Sequence, residues 1–130
     1  MNSSPRSSAT IRAVRVLVVE PRPMSAPMLR RWLERRGHAL DAANDPDSGF
    51  AQAVAAGPDA VLIDLALGAS TVSTLTDRLR THPVTRSASL VSVGEPTAMN
   101  GAADRPRFER RVLKPIDVDE LGAVLLEAAS

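Results

Sequence analysis

The chain has 130 residues, of which 44% are apolar, enough for one domain with a buried core. Its 16 basic and 15 acidic side chains leave a net charge of +1, which argues against nucleic acid as a partner. With no cysteine and only His38 and His82, disulfides, thiolate chemistry and histidine metal centres are excluded, and no apolar run approaches the ~20 residues of a membrane span. A soluble, cytoplasmic protein without a membrane partner is expected.

Residues 1–13 are serine-rich, with Pro5, scattered arginines and no apolar period. They predict a disordered arm ahead of a domain spanning 14–130. The run from Val14 to Val19 ends in Glu20 and predicts a first strand, which Pro21 and Pro23 keep from continuing. The spacing of Met28, Leu29, Trp32 and Leu33 predicts a helix from about Ser25 to Arg36 with Gly37 as its C-cap. A weak strand from His38 to Ala42 leads to Asp45-Pro46, an N-cap followed by proline at the first helical position. Phe50, Ala53 and Val54 are expected to face inward from that helix, and Gly57-Pro58 ends it.

Val61-Leu62-Ile63 fits a strand buried on both faces, as in a parallel sheet, and Asp64 stands at its exit. In open α/β sheets that exit is where ligands bind. Asp64 has two readings at this point, a cap or loop carboxylate and a nucleophile or metal ligand. The alternation then repeats. A helix to about Arg80 carries Val72, Leu75 and Leu79 inward, Leu90 to Val93 is a fourth strand closed by Gly94, and residues 95–106 predict one short or irregular helix. Arg111-Val112-Leu113 is a fifth strand ending at Lys114-Pro115. Asp117 and Glu120 form a capping box, with Ile116 and Leu121 placed as a hydrophobic staple, for a last helix buried through Leu121, Val124, Leu125 and Ala128. Strands alternating with helices give an α/β fold, a doubly wound five-stranded parallel sheet. Its exits bring Glu20, Asp64, Gly94 and Lys114 around one crevice.

Val16-Leu-Val-Val-Glu20, Pro58-Asp-Ala-Val-Leu-Ile-Asp64-Leu65 and Val112-Leu-Lys114-Pro115 resemble the receiver domain of two-component response regulators. The resemblance runs from about residue 14 to 128. It implies a flavodoxin-like (CheY-like) sheet of strand order 2-1-3-4-5, a cis Lys114-Pro115 peptide, and phosphoryl transfer from a histidine kinase to Asp64. It also implies Mg²⁺ held by Glu20, Asp64 and the Ala66 carbonyl, and Lys114 as the cation on the phosphoryl group.

Three positions depart from the family pattern. Pro21 replaces the second carboxylate after the first strand, so Mg²⁺ is expected to be weak or absent. Gly94 replaces the Ser or Thr whose hydroxyl senses the phosphoryl group. Arg111 replaces an aromatic residue in the fifth strand. The expectation is a non-enzymatic, stand-alone receiver-like domain with a degenerate site. It would accept phosphoryl groups weakly or not at all and act by binding a histidine kinase or another signalling protein. The face of residues 95–125 is a candidate homodimer surface. Two alternatives stay open: a fully phosphorylatable single-domain response regulator, and a phosphatase-type hydrolase with Asp64 as nucleophile. The second lacks the further acid such enzymes need, because Ala66 stands there. Glu20 retains the simpler reading of a helix cap, the Arg30, Arg31, Arg35, Arg36 cluster that of a solvated helix face, and Trp32 that of a core residue.

Overall fold

The computed structural model describes residues 12–22, 25–96 and 107–129. Residues 1–11 of the arm and most of the segment expected to form an irregular helix lie outside those residues. Five strands form one parallel sheet: β1 (Arg15–Val19), β2 (Ala39–Ala43), β3 (Ala60–Asp64), β4 (Ser89–Gly94) and β5 (Arg110–Leu113). Their order is β2-β1-β3-β4-β5, as the resemblance implied. The described α-helices are α1 (Ala26–Glu34), α2 (Pro46–Ala56), α3 (Ala69–Thr81) and α4 (Val118–Ala129), and a single 3₁₀ turn, η1, covers Leu65–Leu67.

β3 is central because its sequence allows it to be. All five of its residues are buried, with apolar side chains alternating between the two faces. Leu62 points with Val16, Val18, Val91 and Val93 to the side covered by Leu29 and Leu33 of α1 and Leu121 and Leu125 of α4. Val61 and Ile63 point the other way, toward Ala53 of α2 and Val72, Leu75 and Leu79 of α3. Burying one such aliphatic side chain contributes roughly 1.5–3 kcal/mol, and it is the two-sided supply of them that fixes the sheet as the middle layer.

The punctuation read from sequence holds at most joints. Asp45 accepts the Ser48 N–H at 2.8 Å as the N-cap of α2, and Gly57 ends that helix with φ 60°. Asp117 accepts the N–H groups of Asp119 and Glu120 at 2.9 and 3.2 Å. The Lys114-Pro115 peptide is cis.

Several details differ from expectation. Helix α1 starts at Ala26 and ends at Glu34, so Gly37, with φ 83°, forms the following turn and not the cap. That registration buries Ala26, Leu29 and Leu33 and leaves Met28 62% exposed, outside the core to which its spacing had assigned it. Trp32 is half-buried at the α1–α4 seam. Its Nε1 donates to Asp119 Oδ1 at 2.7 Å, and Arg36 stacks 3.8 Å above its ring. The arginine cluster is therefore only partly a solvated face, since Arg30 Nε also donates to the Leu40 carbonyl. Opposite Trp32, Gly122 makes the close approach possible: a Cβ there would lie 2.5 Å from the indole ring. Phe50 is half-buried and not fully inward, with Arg78 stacked 4.1 Å above it and His82 against its edge.

Candidate functional site

Parallel strands in this order deliver their exits to one edge of the sheet, and the register sets their heights. Asp64 is level with Val93, and Gly94 with Leu113, so Lys114 follows at once on the neighbouring exit. The Lys114 N–H continues the ladder by donating to the Gly94 carbonyl at 2.9 Å. From there Lys114 Nζ reaches both Asp64 carboxylate oxygens at 3.3 Å. Residues 50 positions apart thus meet as a charge-assisted pair, with the Asp64 side chain 7% exposed and Lys114 26%.

The capping reading of Asp64 is realised, and the same side chain also meets Lys114. Its Oδ1 accepts the Ala66 N–H at 2.8 Å, capping η1, while the carboxylate also faces Lys114. Glu20 is buried beside it and takes its capping role. Ser25 Oγ donates to Oε1 at 3.0 Å and the Ala26 N–H donates to Oε2 at 3.1 Å, so both oxygens serve the start of α1. Burial raises the Glu20 pKa. The bonds from Ser25 and Ala26 offset part of that rise, and the Asp64 charge adds to it.

The exits open onto a crevice of about 580 Å³ lined by Glu20, Ser25, Asp64, Glu95 and Lys114, with Met28, Pro115, Ile116 and Val118 on its apolar side. Glu95 is an addition to the residues singled out from sequence, and its place directly after a strand exit was the available signal. Met28 had been assigned to the core, and its exposure makes it part of the crevice rim.

Pro21, Gly94 and Arg111 stand after β1, at the end of β4 and on β5. Pro21 follows Glu20 on the exposed bend after β1 and offers no side-chain oxygen. Gly94 ends β4, buried, and the preceding residue on its face of the strand is Ser92, a buried hydroxyl with no hydrogen-bond partner among the described residues. Arg111 is exposed on β5, level with Ser92.

Mg²⁺ needs oxygen ligands in near-octahedral geometry, usually from one or two carboxylates. Among the described residues no three acidic, histidine or cysteine side chains converge into a metal-holding group. Glu20 is committed to α1, Pro21 supplies no donor, and an ammonium already faces both oxygens of Asp64.

No protein-family model matches the chain, and no curated protein sequence matches it. Solved structures do. A CheY-like response regulator receiver domain from Methylobacillus flagellatus superposes with a TM-score of 0.77 at 26% identity, covering 90% of this chain and 99% of that one. The chemotaxis response regulator CheY4 of Vibrio cholerae gives 0.79 at 17% identity, over 90% and 99% of the two chains. The receiver domain of a sensor histidine kinase from Pseudomonas aeruginosa PAO1, with magnesium coordinated in its active-site cleft, gives 0.73 at 19% identity over 91% and 98%. The chain has the CheY-like receiver fold, and its structural neighbours are receiver domains of two-component systems.

Proposed function

We propose that this chain is a receiver-like signalling module that works by binding partner proteins, with Asp64 accepting a phosphoryl group weakly or not at all. The observation that carries the reading is the fate of the carboxylates after β1. Glu20 has both oxygens turned into the N-terminus of α1, and the next residue is Pro21. Phosphoryl transfer to a carboxylate depends on neutralising the transferring oxygens. Here Lys114 is the cation placed to do so, and it is already balanced by Asp64. Mg²⁺ binds weakly in this reading, through Asp64, Glu20 and the Ala66 carbonyl.

Binding in this reading uses two surfaces. One is the crevice rim, where exposed Met28 stands beside Ile116 and Val118. The other is the face of residues 95–125, where Arg111 and 51%-exposed Leu113 lie on the edge strand and a homodimer could form. A histidine kinase or another regulator of a phosphorelay is the partner class.

The retained Lys114–Asp64 pair favours one second reading, a single-domain response regulator that is fully phosphorylatable. Incubation with a small acyl phosphate and Mg²⁺, followed by intact mass, separates the two. Little or no phosphorylated protein is expected, and stoichiometric phosphorylation lost in Asp64→Asn would establish the second reading instead.

A further inference from the structure

The side chain nearest to the bare backbone of Gly94 is that of Leu65, the residue that follows Asp64. A Cβ built on Gly94 would lie 3.0 Å from Leu65 Cδ1, 3.1 Å from its Cβ and 3.3 Å from its Cγ. Carbon atoms prefer ~3.5–4.0 Å, so a side chain at position 94 requires Leu65 to give way by a few tenths of an ångström. The residues involved also close a ring. Leu65 follows Asp64 and begins η1, Gly94 accepts the Lys114 N–H at 2.9 Å, and Lys114 Nζ returns to Asp64 at 3.3 Å.

We propose that Leu65 is a steric plug. Packed onto the bare backbone of Gly94, it positions the Asp64–Lys114 pair and keeps a change at Asp64 from reaching β4 and β5. The inference deepens the proposed function and rests on it only in taking the Asp64 crevice as the working site. Plug and gap are complementary, so neither change alone opens the route. A hydroxyl at position 94 has to displace Leu65 before it can reach toward Asp64. Removing Leu65 alone leaves a gap with no hydrogen-bonding group in it. The plainer reading of Leu65 is a half-buried residue that merely packs against the α2–α3 side of the core. Under that reading substitutions at 65 and 94 are independent.

The experiment is a double-mutant cycle over Leu65→Ala and Gly94→Ala, repeated with Gly94→Ser, each with and without Asp64→Asn. Urea unfolding reads the coupling, and amide NMR maps what neutralising Asp64 does in each background. With Leu65 present, Gly94→Ala is expected to lower the folding constant about tenfold more than it does in the Leu65→Ala background, within the range seen for contacting pairs. Asp64→Asn should shift amides near residues 64–68 and 114–116 in the natural chain and in all single variants. Only in Leu65→Ala/Gly94→Ser should the shifts extend through 89–94 and 110–113. Leu65→Ala/Gly94→Ala, which has the space but no hydroxyl, should stay confined. Gly94 variants that fold in the Leu65→Ala background but not with Leu65 in place would be the same coupling in its extreme form. Additive stabilities, failure to fold in both backgrounds, or shifts that reach β4 and β5 with Gly94→Ser alone would overturn the plug. Ready phosphorylation of Asp64 would instead overturn the proposed function while leaving the cycle intact.

Discussion

Two ion pairs join cation to carboxylate at opposite ends of the sheet, and they are built differently. At the amino end Arg80 meets both oxygens of Glu109 at 2.6 and 2.7 Å and also donates to the carbonyls of Arg86, Ala88 and Arg107. Glu109 in turn accepts the Leu90 N–H at 2.7 Å. Burial alone would raise the Glu109 pKa, but Arg80 and the Leu90 N–H together bring it below the usual glutamate value. At the carboxyl end Lys114 meets Asp64 at 3.3 Å, and the pair faces an open crevice. A saturated pair ties β4, β5 and α3 together, whereas the Lys114–Asp64 pair has fewer hydrogen bonds and its cation sits on a flexible stem at the crevice. The same two charges are locked in place at one end and less constrained at the other, and the number of hydrogen bonds around them sets the difference.

The largest expected effect tests that division. Arg80→Met leaves Glu109 with only the Leu90 N–H and removes the Arg80 donor from the Ala88 and Arg107 carbonyls, and each group left unpaired costs about 1–3 kcal/mol where water does not reach it. Both side chains are partly exposed, which puts the total near the low end. Lys114→Met should cost clearly less, and urea unfolding of the two variants side by side is the check. Equal losses would erase the distinction between the pairs.

Restoring the absent ligand is next in size. Pro21→Asp adds a carboxylate beside Glu20, and Mg²⁺ affinity should tighten by about tenfold, roughly 1.4 kcal/mol. Calorimetry that finds no change would place Pro21 away from any metal position.

The two shifted glutamates give opposite pH signatures. Glu20 has a raised folded pKa, so the folded state holds its proton more tightly than the unfolded chain does. Its favourable contribution is present below the ordinary value of 4.5 and is lost as pH rises through the folded value. Glu109 has a lowered pKa, so its contribution is present above 4.5 and is lost as pH falls through the folded value. Relative to the natural chain, Glu20→Gln should therefore fare better at neutral than at acid pH, and Glu109→Gln should fare worse. Unfolding curves taken from about pH 3 to pH 8 on both variants, a span that brackets carboxylate titration, check the signs.

The sequence disclosed the fold through local signals, each contained in a few neighbouring residues. The apolar runs before Glu20 and Asp64, the Asp45-Pro46 cap, Gly57 and the Asp117 cap all sit within the elements that they define. Asp64 and Lys114 were legible because each directly follows a strand's apolar run. What stayed hidden depends on tertiary approach. Arg80 and Glu109 are 29 residues apart, and nothing local marks either as a pair. Met28 sits at a helical spacing that fits the core, but the start of α1 at Ala26 turns it outward. Gly94 read as a lost hydroxyl, and only the packed chain shows that a side chain there would press on Leu65. The turn η1 was missed because Leu-Ala-Leu has no period of its own, and its cap is the same Asp64 that the site uses.

The central claim is that the Asp64 crevice is decoupled from the β4–β5 side of the molecule. A ligand can shift a conformational equilibrium only by its differential affinity for the two states, and Gly94 lacks the hydroxyl that would supply the difference. The direct measurement is an amide NMR titration of the natural chain with Mg²⁺ and beryllofluoride, a mimic of the phosphoryl group. Shifts confined to the residues around Asp64 and Lys114, with residues 107–113 unmoved at the highest ligand concentration, are the predicted result. Large shifts across residues 107–113 would contradict it, because they would mean that the signal crosses to β5 without a hydroxyl at position 94.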